Sequence, residues 1–427
     1  MVAVATVVSV VLALLVTYFG GTLDVLVGLT HAALVIILAR LLLMPRLHFE
    51  VGIPMSWLWL GLLVQLGFSA AMAYLTGSII GGDATVYHRM AVAIASGTVE
   101  VSTLRWYGTP VVAIVAAAWY RLIGVSFLGM YFLAGLTAYA AKCLVIRAAS
   151  CMTNDSGIPR SVAAAMLWLP SFSLWNGILG KEPYVCLGVA ATICGVAALE
   201  KYRRYGFMCF LVGVTITGLI RPHFAAIELA SLVMAGVMSK EQRRVKLFVP
   251  VAMILLVLLV GSDAFQSFTG AGGFGPDDAV SALSSQSAAL ARGGGGSSTG
   301  IAIASKGVVG YLTAIPISAA TMLLMPYPGQ FREPLQLLAS IETLLVFVVI
   351  LIKAPRSLSG ALRDRRLPAL YGWSFVGAFV VIMGPVLAVN VGLMARQRTI
   401  LWLVLAFTLM TSEPRRVSPM PSMDRAK

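Results

Sequence analysis

Charge is scarce in this sequence of 427 residues: Asp, Glu, Lys and Arg make up 11% of it, against 59% for hydrophobic residues. A soluble protein of this length covers its surface with charge, so the composition argues against a soluble globular fold. Runs of about 20 apolar residues, enough to cross a hydrocarbon core roughly 30 Å thick, recur along the chain instead. We predict one all-α, polytopic membrane domain over residues 1–412 and a basic tail over 413–427.

Common catalytic and binding motifs are absent as well. The sequence has no phosphate-binding P-loop, no HExxH or GxSxG motif and no cysteines at metal-ligand spacing. These absences argue against ATP-driven transport and the commoner membrane hydrolases. The five cysteines are an odd number, which argues against a disulfide framework. No motif indicates a cofactor or a metal, and the participation of a divalent metal is left open.

Acidic residues are few, and the formal net charge is +14. Such a balance is also found in nucleic-acid-binding proteins, but here the basic residues lie in short loops between apolar runs, as the positive-inside rule expects. We therefore predict a lipid bilayer and no nucleic acid as partner. Six segments hold 21 of the 31 Lys and Arg residues and are placed in the cytoplasm. They are Arg40–Arg46, Lys142–Arg160, Lys201–Arg204, Lys240–Lys246, Lys353–Arg366 and the tail from Arg415.

This placement predicts twelve transmembrane helices with both termini inside. The first is interpreted as a retained helix, because it lacks a basic leader and a cleavage site. The predicted spans are Val2–Phe19, Val25–Leu43, Met55–Leu75, Phe127–Ile146, Ser161–Leu179, Tyr184–Leu199, Gly206–Ile220, His223–Val237, Leu247–Val260, Leu335–Ile352, Ala369–Asn390 and Thr399–Met410. Two further apolar stretches, Thr109–Ile123 and Val308–Met325, are predicted to be interfacial or re-entrant helices on the outer face.

The outer face then carries two long segments, residues 76–123 and 261–334. The second includes a Gly/Ser/Ala-rich tract that is too polar to form a core and is typical of a mobile loop. An ordinary flexible loop and a lid over a lipid-linked substrate are both compatible with it.

The first outer segment contains GGDATVYHRMA, residues 81–91. Two glycines before Asp83 predict a helix start with Asp83 as N-cap, and Tyr87 follows one turn later on the same face. An acidic residue outside a span, beside Tyr87 and His88, could hold a general base next to a sugar hydroxyl. A plain capping aspartate is the alternative.

Basic residues on the outer side run against the positive-inside trend, and an anionic lipid phosphate would compensate for that. Arginine can bind phosphate through two parallel hydrogen bonds, so these positions are candidate phosphate ligands. They are Arg105, Lys181 with its neighbour Glu182, Arg221 with His223, Arg396 and Arg398. An interfacial anchor at Arg105 and a snorkelling helix-end pair at Lys181–Glu182 are the alternatives. Glu342 is expected to be buried and hydrogen-bonded.

With these motifs in view, the chain resembles the GT-C superfamily of polytopic glycosyltransferases, closest to the protein O-mannosyltransferase and aminoarabinose-transferase branch, glycosyltransferase family 39. The resemblance is best over residues 81 to about 239. It rests on the order of GGDATVYHRMA, GTPVVAIVAAAWYRLIG, PSFSLWNGILGKEP and LIRPHFAAIELA along one chain. The sequence departs from the branch at Tyr107–Pro110, where Lys-Pro-Pro is usual, and at Lys181–Glu182, where an aspartate is usual.

The resemblance implies that one sugar moves from a polyprenyl-phosphate donor to a glycan, lipid or protein acceptor, with inversion at the anomeric carbon. Asp83 matches the family's catalytic acidic residue, which removes the proton of the acceptor hydroxyl. The expected location is the plasma membrane, the inner membrane of a two-membrane envelope, with the active site on the periplasmic or extracytoplasmic face.

Two other functions share many of these features. An envelope polysaccharide polymerase also joins lipid-linked sugars on the outer face, but its donor carries a repeat unit instead of one sugar. A lipid-linked sugar flippase or secondary transporter would show internal repeats and polar residues at mid-bilayer. The sequence shows no repeat, and its polar groups are expected to gather at the outer edge.

Overall fold

The computed structural model describes residues 22–77, 82–152, 160–199, 202–240, 248–263, 265–266, 307–325 and 334–411. Within these ranges the chain is helical and has no strand, which confirms the predicted all-α class. The predicted span Val2–Phe19, the Gly/Ser-rich tract and the basic tail lie outside the described residues.

Sixteen α-helices are described in these ranges. They are α1 (Thr22–Leu38), α2 (Met44–Val51), α3 (Met55–Leu75), α4 (Asp83–Ala95), α5 (Thr109–Ile123), α6 (Phe127–Met152), α7 (Arg160–Trp168), α8 (Pro170–Trp175), α9 (Glu182–Ala198), α10 (Arg203–Ile220), α11 (Pro222–Met238), α12 (Phe248–Val260), α13 (Gly307–Leu324), α14 (Pro334–Asp364), α15 (Leu367–Leu387) and α16 (Val391–Thr411). A π-helical turn, Ala39–Leu43, joins α1 to α2.

Six helical stretches are long and apolar enough to cross a membrane, which supports a bilayer environment for the chain. They are Asp24–Val51, Met55–Leu75, Phe127–Met152, Ala339–Asp364, Leu367–Leu387 and Gly392–Thr411. The other apolar helical stretches of the described ranges, among them Thr109–Ile123, Glu182–Ala198 and Pro222–Met238, have 10–17 residues, fewer than the roughly 20 of a typical span.

The bundle has two chemically different ends. At one end the carboxylate of Glu182, the first residue of α9, meets Arg221, which follows α10. We call this the Glu182 end. Arg147, near the end of α6, pairs with Glu50 near the end of α2, and its Nη1 donates to the hydroxyl of Tyr205, near the start of α10, at 3.4 Å. We call this opposite end the basic end.

Close packing of α9 on α10 sets the position of Glu182 relative to Arg221. Each helix contributes glycines to the contact, and a Cβ at Gly195 would meet the backbone of Phe210 and Gly206. A Cβ at Gly213 would meet the backbone and hydroxyl of Thr192. Small residues let helix backbones approach closely, as in many membrane helix pairs. Glu182 and Arg221 are thereby brought side by side.

Two sequence predictions for α6 to α8 are wrong. The predicted span Ser161–Leu179 is not one helix, because it breaks between α7 and α8 at Leu169 and Pro170, where proline cannot continue the hydrogen-bond ladder. Lys142 does not begin a basic loop: it lies inside α6 and its side chain is fully buried.

Candidate functional site

The described charged groups at the Glu182 end centre on the Glu182 carboxylate. Its side chain is 2% exposed. The Arg221 Nη2 donates to its Oε1 at 2.7 Å, and the Arg396 Nη2 donates to its Oε2 at 3.0 Å. Two guanidinium groups therefore share one buried carboxylate, an arrangement that holds both in fixed orientations. The alternative interpretation of Lys181 and Glu182 as a snorkelling helix-end pair does not fit Glu182, because its side chain is buried.

Local sequence explains how these three side chains meet. Glu182 is the first residue of α9 and is followed by Pro183, and proline is tolerated in the first turn of a helix. Arg221 is the single residue between α10 and α11, and Pro222 begins the second of these helices. Arg396 lies in the second turn of α16, whose start is capped by the Asn390 side chain accepting from the Leu393 N–H at 3.0 Å.

Asp83 lies at the open rim of this cluster. Its side chain is 71% exposed, and its Oδ2 is 3.9 Å from the Arg396 Nη1. The prediction of Asp83 as N-cap is wrong, because Gly82 takes that position with a φ of 98° and Asp83 is the first helical residue. Only glycine adopts such a φ without strain. Arg396 thus bridges an exposed carboxylate and a buried one.

Tyr87 and Lys181 complete the cluster, and we call Asp83, Tyr87, Lys181, Glu182, Arg221 and Arg396 the Glu182 cluster. Burial, reinforced by the charge of Glu182, raises the pKa of Tyr87 to about 12, so its phenol stays protonated at neutral pH. Burial and the neighbouring Arg221 charge lower the pKa of Lys181. The Lys181 Nζ would lie 3.8 Å from a Cβ at Gly108, so the loop before α5 borders the cluster.

The cluster favours an anion for two reasons. Its three cationic side chains outnumber its two carboxylates by one positive charge. In addition, the buried Nε atoms of Arg221 and Arg396 have no hydrogen-bond partner among the described residues. Such donors next to a water-accessible rim fit a phosphate group and a nearby hydroxyl that Asp83 could reach.

Other predicted site residues border the cluster or lie away from it. His88 faces inward, with its Nδ1 2.6 Å from the Tyr120 hydroxyl, and burial lowers its pKa. Arg105 lies exposed in the loop before α5, and its Nη1 donates to the Tyr107 hydroxyl at 3.2 Å. His223 follows Arg221 by two residues and is the second residue of α11.

Arg398 is not brought to the Glu182 cluster. Arg398 is two residues after Arg396 on α16 and therefore lies on a different face of the helix, and the residue is 2% exposed. It donates to the backbone oxygens of Met322 and Met325 and, at 2.8 Å, to the Thr343 hydroxyl. Its place is therefore at the end of α13, where it satisfies carbonyls that a helix leaves free.

Polar groups at the outer edge are accompanied by others in the interior of the bundle. Lys142, Glu228, Glu342 and Arg398 are buried inside the bundle. Glu342 is hydrogen-bonded as predicted, accepting from the Ser171 N–H at 2.7 Å. Lys142 was missed because the sequence that follows it is basic at Arg147, although apolar residues flank it on both sides.

Within the described residues, no group of three or more His, Cys, Asp or Glu side chains converges as a metal site requires. No family model, curated protein or solved structure matches the chain. The function is therefore argued from the Glu182 cluster and from the order of motifs along the sequence.

Proposed function

We propose that the protein is a membrane glycosyltransferase of the GT-C type that moves one sugar from a polyprenyl-phosphate donor to an acceptor at the Glu182 end. The observation that carries the proposal is the bridge made by Arg396 between the exposed Asp83 and the buried Glu182. It places a carboxylate that could accept a proton beside guanidinium groups that could hold a phosphate leaving group.

Each residue of the cluster has a distinct part in this reaction. Asp83 takes the proton of the acceptor hydroxyl as that oxygen attacks the anomeric carbon, a general-base contribution of roughly 10²–10⁴ in rate. Arg396, Arg221 and Lys181 stabilise the charge that develops on the departing lipid phosphate. Glu182 keeps the two arginines oriented and does not itself touch the reacting atoms.

The proposed topology has twelve spans, with the Glu182 end outside and the basic end in the cytoplasm. Both ends of α5 support its interfacial position, because Gly108 N donates to the Leu219 oxygen at the end of α10. Phe127 N, just past the other end of α5, donates to Asp24 near the start of α1. A helix with both ends at one end of the bundle runs along the membrane surface.

Contacts of α13 support the same position. The Tyr311 hydroxyl donates to the Val381 oxygen at 2.9 Å, and the Met325 oxygen accepts from Arg398. Val381 is six residues from the end of α15 and Arg398 seven residues from the start of α16. At 1.5 Å per residue both lie within about 10 Å of the Glu182 end.

The test is native mass spectrometry of the full chain with its co-purified lipids, followed by transfer assays on a panel of polyprenyl-phosphate sugars. We expect a polyprenyl-linked sugar on the wild type, and more of it on Asp83→Asn, which binds the donor but transfers at least 100-fold more slowly. The matched control is Glu100→Gln, because Glu100 is an exposed acid in the loop that follows α4. This variant should behave as wild type.

Arg396→Gln should retain less lipid, whereas Arg89→Gln, an exposed arginine of α4, should retain the wild-type amount. Full transfer by Asp83→Asn, or ordinary phospholipid alone on every variant, would overturn the proposal. A bound lipid carrying an oligosaccharide repeat, with chain growth as the product, would instead favour the polymerase.

A further inference from the structure

The break between α7 and α8 lies in the interior of the bundle, and two ionisable side chains from other helices fill it. Lys142 of α6 donates to the Leu167 oxygen at 3.0 Å and to the Ser173 hydroxyl at 2.7 Å. Glu342 of α14 accepts from the Ser171 N–H at 2.7 Å and also from the Ser171 hydroxyl. Ionisable groups inside a membrane bundle are costly and are usually kept for a function.

The break frees backbone groups that a continuous helix would have satisfied. In transporters with broken helices, such groups bind the substrate or a coupling ion. Here the chain's own lysine takes the Leu167 carbonyl, and its own glutamate takes the Ser171 N–H. The freed backbone groups are thus bound by side chains of the protein itself, which argues against an ion site at the break. Lys142 and Glu342 must then hold some part of the chain in place.

A chain of hydrogen bonds leads from the break to the Glu182 cluster. Asn176, directly after α8, donates through Nδ2 to the Thr399 hydroxyl at 3.0 Å and accepts from the Cys186 Sγ at 3.2 Å. Cys186 lies one turn after Glu182 on α9. The Thr399 hydroxyl in turn donates to the Arg396 oxygen at 2.7 Å. Asn176 therefore ties together the helices that carry Glu182 and Arg396.

We propose that Lys142 and Glu342 are positioning residues that fix α8 and the following turn, and through Asn176 set the distance between Glu182 and Arg396. Gln65 adds a third connection, since its Nε2 donates to the Ser173 oxygen at 3.0 Å. The inference rests on the proposed function only where it treats the Glu182 cluster as the working site. Its structural content can be tested without a substrate.

The experiment measures backbone amide exchange, peptide by peptide, of the full chain in lipid nanodiscs, with Lys142→Met and Glu342→Gln. Both variants should exchange at least 10-fold faster over residues 171–182, while residues 187–198 of α9 exchange as in the wild type. The control is Glu228→Gln, which removes another buried acid, whose partners Thr192 and Thr217 lie on α9 and α10 instead of on α7 or α8. It should leave residues 171–182 unchanged.

Wild-type exchange over residues 171–182 in both variants, or an equal rise over the whole bundle, would overturn the positioning role. A second measurement, binding of undecaprenyl phosphate in nanodiscs, separates the two proposals. Both variants should bind it at least 5-fold more weakly than Glu228→Gln does. If local exchange rises but no form binds the phosphate, positioning stands and the proposed function fails. If the wild type binds and exchange does not change, positioning alone fails.

Discussion

Glu182 and Glu342 are both buried carboxylates, but their partners are of different kinds. Glu182 receives hydrogen bonds from two guanidinium groups at the rim of the bundle, whereas Glu342 receives its hydrogen bonds from the N–H and hydroxyl of Ser171. An acid paired with arginines near an open rim arranges positive charge for a ligand. An acid paired with a backbone amide and a hydroxyl fixes the path of the chain. Surroundings, more than burial, thus distinguish the two roles.

The largest expected effect follows from removing the two acids in turn. Glu182→Ala leaves Arg221 and Arg396 without their buried counter-ion and should lower the free energy of unfolding by about 3–5 kcal/mol. Glu342→Ala leaves a neutral amide and a hydroxyl without an acceptor and should cost about 1–3 kcal/mol. Reversible unfolding in mixed micelles with increasing SDS measures both. Equal losses would show that the ionic partners do not distinguish these sites.

A second prediction concerns the helix pair that brings Glu182 to Arg221. Gly213→Ala places a methyl group against Thr192, where backbone as well as side chain would have to move. The cost should be about 1–3 kcal/mol, as for overpacked cores. The same SDS titration provides the measurement, and Gly377→Ala is its matched control.

Gly377 also lies within an apolar helix, α15, but a Cβ there meets nothing within 4 Å. Its substitution should therefore change stability by less than about 1 kcal/mol in either direction. If both alanines behave alike, close approach of α9 and α10 does not hold the Glu182 cluster together, and the ion pairs themselves must do so.

Sequence patterns predicted the helices well where an apolar run ended at a clear boundary. Met55–Leu75 and Thr109–Ile123 have the predicted limits, because Pro54 and Gly108 precede them and mark where each helix starts. Ser161–Leu179 failed for a local reason that was visible in the sequence. Pro170 interrupts that run, and a proline breaks a helix there even though the flanking residues are apolar.

The candidate site was predicted only as a set of residues. Arg221 and Arg396 were chosen because arginine on the outer side is unusual, but their common partner was not foreseen. The Arg396–Glu182 contact joins residues 214 positions apart, and it depends on how α9, α10 and α16 pack. Periodicity reports which face of a helix is apolar and carries no information on which helix lies beside it. Arg398, two residues from Arg396, was predicted as a phosphate ligand for the same reason, but its side chain lies at the end of α13.

The smallest expected effect lies at the basic end, where an ion pair of similar length is open to water. The Arg147 Nη2 is 3.1 Å from the Glu50 Oε2, with side chains 26% and 49% exposed. Water screens such a pair and ordering two long side chains opposes it, so Glu50→Gln should cost about 0–1 kcal/mol. That loss should shrink further as salt is raised, because exposed charges are screened. A loss close to that of Glu182→Ala would mean that exposure to water does not determine how much these ion pairs stabilise the protein. The burial of Glu182 would then give no reason to single out its cluster.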